Sequence, residues 1–86
     1  MINQKNNYVE YAMLLTELDD AREHLQALVN HMKDSADFDE AHFAVDLGHV
    51  YAHLNRAWHA RNQPSEMTSE QRDAFSEFPP DLKPVG

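Results

Sequence analysis

Five of the six histidines in this chain fall at spacings that place them beside carboxylates on common helix faces. Asp39, His42, Asp46, His49 and His53 follow one another at steps of three, four, three and four residues, so on a helix they make one stripe. Glu10, Glu17, His24 and His31 recur every seven residues and make a second. His49 and His53, at i and i+4, can share a metal ion as neutral imidazoles. Asp46 and His24 are placed to add further ligands. Such nitrogen and oxygen donors suit zinc, or iron where carboxylates dominate. The Asp-x-x-His steps at 39–42 and 46–49 are a loose match to the Glu-x-x-His step of di-iron bundles, with a shorter acid.

Two plainer roles compete for the same residues. The stripes can be the wet flanks of a coiled-coil-like hairpin, pairing Glu, Asp and His across a seam. They can also respond to pH, because six added protons take the formal charge from −8 to −2. His59 lies off the stripe and is expected in solvent.

The elements that must position these residues are marked by two apolar heptad runs. The first is Tyr11, Leu14, Leu18, Ala21, Leu25, Leu28 and Met32; the second is Phe43, Leu47, Val50, Leu54 and Ala57. Their alternating steps of three and four are the seam of packed helices. No Gly or Pro interrupts Tyr8 to Lys33, and Asn6 or Asn7 can cap that stretch. Asp37 with Glu40 has the form of a capping box for a second helix, and Pro64 stops it. The predicted elements are helices over 8–33 and 38–62, a short helix over about 69–78, and an extended tail over 79–86. The turn is too short for anything but an antiparallel hairpin. Residues whose numbers sum to roughly 71 then face each other, which sets Leu14 near Ala57, Glu17 near His53, His24 near Asp46 or His49, and Glu10 near Arg61.

One buried seam is a thin core for a chain of this size. Tyr8, Leu15, Ala44, Tyr51 and Trp58 form an additional aromatic side on the wheel. That side is expected to pair two hairpins into a four-helix bundle, with the apolar tail residues Phe75, Phe78, Leu82 and Val85 packed across it.

Composition narrows the function. Fifteen acidic residues against seven basic ones leave no basic face for a nucleic-acid backbone. Without cysteine there is no disulfide, thiolate metal site or thiol nucleophile. No apolar run approaches a membrane span, and the polar start has no signal-peptide character, so a cytoplasmic location is expected. Asp39-Glu40-Ala41-His42 spells a helicase box but lacks the Gly-rich phosphate loop that such an enzyme needs. The expectation is an all-α homodimer of two-helix hairpins, acting as a small acidic, non-enzymatic interaction or regulatory protein with a protein partner and no cofactor. The alternatives are a zinc- or iron-binding bundle at His24, Asp46, His49 and His53, and an acidic mimic of nucleic acid.

Overall fold

The computed structural model describes residues 1–86. It is all-helical, with α1 over Tyr8–Asp34, α2 over Glu40–His59 and α3 over Ser69–Phe75. The long helices α1 and α2 pack against each other, and α3 packs on α2. No helix is long and apolar enough to cross a membrane.

The turn between the long helices is set by capping. At the end of α1 the Ser35 N–H reaches back to the His31 carbonyl, and Ser35 itself is extended. Asp39, not Asp37, caps α2: its carboxylate accepts from the His42 backbone N–H at 2.9 Å and lies 2.8 Å from His42 Nδ1. The backbone hydrogen bond from His42, and then the one from its ring, hold the Asp39 carboxyl below the usual aspartate range. Moving the cap two residues along starts α2 at Glu40 rather than at Phe38.

The other end of α2 is also shorter than expected, stopping at His59. Pro64 cannot donate to the helix and disfavours helical backbone just before it. The chain instead turns through Ala60–Gln63, with Arg61 N–H on the Trp58 carbonyl and Gln63 N–H on the Ala60 carbonyl. This turn anchors the start of the chain, since the Ile2 N–H donates to the Arg61 carbonyl at 2.7 Å. Ile2 is buried with Leu14 and Ala57, and Tyr11 packs against them. The polar lead-in therefore carries a core residue.

Thr68 and Gln71 form a complete capping box for α3, with bonds of 3.1 Å and 3.0 Å. The helix ends at Phe75, three residues early, where Ser76 Oγ donates to the Arg72 carbonyl. The segment beyond it wraps back over α2. Phe75 stacks on His59, Phe78 meets the Tyr51 ring edge-on, and Asp81 accepts from Trp58 Nε1 at 3.0 Å. His59, expected in solvent, is instead half-buried and bonded to the Glu77 carbonyl. Its neighbours were out of reach of a wheel drawn on α2 alone.

The hairpin is rolled about its long axis. The most deeply covered residues of α1 are Leu14, Glu17, Ala21 and Leu28. On α2 they are Val50, His53 and Ala57, joined by Asn55 and Arg56 under α3. The leucines of the apolar seam sit to one side of that line: Leu18 is 44% and Leu25 46% exposed, against 7% for Leu14. Glu17 and His53 of the polar flank are inside, and Leu18 and Leu25 of the leucine seam are outside.

Candidate functional site

The inward flank is built around Glu17. Its side chain is 9% exposed and that of His53 is 8%. Glu17 Oε2 lies 2.7 Å from His53 Nδ1. Oε1 accepts from Arg56 Nε at 3.0 Å and from Arg72 Nη1 at 3.3 Å. Burial alone would raise the Glu17 carboxyl, but the hydrogen bonds and charges of Arg56 and His53 outweigh it and hold the group below the usual carboxylate range. Glu17 is thus ionised at neutral pH, and a 2.7 Å contact with an ionised oxygen requires a proton on His53 Nδ1. Arg56 Nη2, 3.0 Å from the same nitrogen, then faces it as a second donor and makes no hydrogen bond there. The shared carboxylate holds the two together.

With the Nδ1 proton directed at Glu17, the other ring nitrogen of His53, Nε2, is buried without a hydrogen-bond partner. Two more imidazoles stand beside it. His24 lies 3.9 Å from His49 and 5.1 Å from His53, ring centre to ring centre, and His49 lies 5.0 Å from His53. One nitrogen from each ring falls within 4.8 Å of the others. His53 is buried, His24 half-buried and His49 exposed, so the group opens to solvent on one side. Partial burial, then the nearby charges of His24, His53 and Arg56, lower the His49 pKa and favour its neutral, ligating form; Asp46 opposes them.

Three of the four expected metal ligands, His24, His49 and His53, are therefore brought together. Asp46 is not, because its carboxylate turns to His31, 3.6 Å away near the hairpin turn. The expectation that this flank stays in water is corrected at Glu17 and His53. The closure comes from Arg56, Arg72, Asn55 and Ser76: Asn55 Nδ2 donates to the Ser76 carbonyl at 2.8 Å and Arg56 Nη1 to Ser76 Oγ at 2.9 Å. Arg56, three residues after His53, could have been drawn onto the stripe from spacing. Arg72 lies 55 residues from Glu17, and nothing local marks it.

The register pairs Glu17 with His53 and sets Leu14 beside Ala57. Arg61, expected near Glu10, instead lies over the Trp58 ring at 3.8 Å and bonds Asp81 at 3.3 Å.

The opposite side of the hairpin is apolar and open. Leu15, Leu18, Leu25, Val29 and Met32 on α1, with Phe43 and Leu54 on α2, are exposed. Of the residues expected at a subunit interface, Tyr8, Leu15, Ala44 and Tyr51 are exposed and Trp58 is half-buried; Tyr51 and Trp58 also meet the tail of their own chain. A groove of about 430 Å³ runs between Leu18, Leu54, Trp58 and Leu82.

No protein-family model matches this chain, and neither the curated proteins nor the solved structures include a similar one.

Proposed function

We propose that the chain is a small acidic, non-enzymatic interaction or regulatory protein that works as a homodimer, pairing two hairpins into a four-helix bundle. One observation carries this reading: seam leucines that a two-helix hairpin should bury stand half-exposed, Leu18 at 44% and Leu25 at 46%. They lie in a stripe with Leu15, Val29 and Met32, at steps of three, seven, four and three. A face two helices wide and about 30–40 Å long offers roughly the 800 Å² per partner that a stable interface uses. A second copy presents the same apolar stripe to itself, as a twofold contact requires. Charged rows at the edges of the face keep the assembled dimer soluble, and a cytoplasmic setting suits a chain without cysteine. The tail over Tyr51 and Trp58 moves the contact toward Leu18, Leu25 and Phe43 and away from those two aromatics.

The test is mass in solution. Size exclusion with light scattering should give about twice the 9.9 kDa chain mass for the wild type. The double variant Leu18→Asp/Leu25→Asp should give the monomer mass. A wild type that runs as a monomer throughout the micromolar range would end the dimer reading, and so would a double variant that keeps the dimer mass.

A further inference from the structure

We infer that His24, His49 and His53 form a binding site for a single divalent zinc-class ion within one chain, with Glu17 fixing the inner ligand. This goes beyond the dimer reading and is independent of it, since all four residues belong to one hairpin.

The case begins with His53 Nε2. A buried polar atom without a partner costs free energy, and such atoms are rare in folded proteins. Because Nδ1 is committed to Glu17, Nε2 is the nitrogen left for a ligand. A carboxylate behind a histidine is the arrangement that orients a metal-bound imidazole, fixes its tautomer and makes it a stronger base. His53 is also not alone, because one ring nitrogen from each of His24, His49 and His53 lies within 4.8 Å of the others.

The donor set selects the ion. Three neutral imidazoles and no carboxylate favour zinc over calcium, magnesium or an iron site of the carboxylate type. At zinc–nitrogen distances of 2.0–2.1 Å, tetrahedral ligands sit about 3.3 Å apart. Reaching that spacing asks His24 and His49, which lie at 16° and 25° to the His53 ring, to move inward and to rotate so that their in-plane lone pairs converge. Neither ring makes a hydrogen bond, whereas His53 is held at 2.7 Å by Glu17. Three protein ligands leave a fourth position, and His49 on the open side lets water or a small anion reach it. The charges tolerate the ion. Arg56 and Arg72 are both paired with Glu17, and the chain as a whole carries −8.

The hairpin turn supplies a built-in comparison. His31 and His42, with ring centres 5.8 Å apart, are already engaged by Asp46 and Asp39. These histidines have the same chemistry but no buried, partnerless nitrogen between them.

The experiment is calorimetric titration of the full-length, untagged chain with Zn²⁺, alongside visible absorption with Co²⁺. The wild type should take up one Zn²⁺ per chain, and Co²⁺ should give the intense visible bands of a four-coordinate site. His49→Ala, a change at an exposed position that leaves the fold intact by circular dichroism, should abolish those bands and weaken Zn²⁺ more than Glu17→Gln does. Glu17→Gln should weaken Zn²⁺ by about 10–100-fold, the usual cost of losing such a partner. His42→Ala should bind Zn²⁺ like the wild type. The site is overturned if the wild type shows no saturable Zn²⁺ uptake, or if His42→Ala loses as much affinity as His49→Ala. One ion per two chains would also overturn it, because that places the ion between copies.

Discussion

The two long sides of the hairpin were expected to divide by polarity, with leucines inside and the histidine flank in water. Leu14, Ala21, Leu28, Val50 and Ala57 are inside as expected, but at two places on each side the burial is reversed. Glu17 and His53 are covered while Leu18 and Leu25 stand half-exposed. The difference lies in what each side has to close against. Glu17 collects three charge-assisted contacts, from His53, Arg56 and Arg72, and a buried carboxylate is tolerated when its lone pairs are met this way. The leucine side has no third helix to meet it, because α3 packs on α2; Met1 and Leu82 from the chain ends line its groove. Ala21, 3% exposed, helps the roll, since a small side chain at the line of contact lets the polar flanks come together.

The comparison is broken most severely at Glu17. Glu17→Ala leaves Arg56 and His53 covered without their anion, and should cost about 3–5 kcal/mol, read from urea unfolding. A cost below about 1 kcal/mol would mean that the flank is wet. The same carboxylate sets an acid limit. Its folded-state pKa is depressed, so its stabilising share is complete above the unfolded-state value and drains as pH falls through the folded one. Wild type should therefore lose stability on acidification through that window, while Glu17→Gln starts lower and changes less. Parallel acid profiles for the two proteins would refute the assignment.

On the open side, one leucine substituted by a smaller residue should cost less than one on the covered line. Leu28→Ala, at 3% exposure, should fall in the 2–5 kcal/mol range of large-to-small core changes. Leu25→Ala, measured below the concentration at which chains associate, should cost well under half as much. Equal costs would mean that the roll is wrong. The smallest effect belongs to the cover of the polar side. Thr68→Ala removes the α3 cap and should cost about 1 kcal/mol, with faster amide exchange at Arg72 and Ser76. Unchanged exchange there would separate α3 from the closure of Glu17.

The parts of this fold that were legible in the sequence are those with local causes. Unbroken helix formers mark α1, Pro64 ends α2, and the short turn fixes an antiparallel register that brings Glu17 to His53. The roll was not legible. A heptad pattern identifies an apolar face but not the angle at which it meets its neighbour, and here that angle depends on Arg72 and Ser76, far along the chain. The burial of Ile2 and the cover over His59 were hidden for the same reason. Three of four candidate ligands lie on the stripe as spacing placed them. Asp46 went to His31, because two acceptors on one helix face can each turn to either side of a seam.

The central claim is that the hairpin is rolled with Glu17 and His53 inside, and nitrogen-15 spectroscopy of the imidazole rings tests it most directly. At neutral pH one ring should keep an Nδ1 proton in slow exchange with water. That signal should assign to His53 and should disappear in Glu17→Gln. Six rings that all exchange freely, with His53 indistinguishable from the exposed His42, would contradict the account.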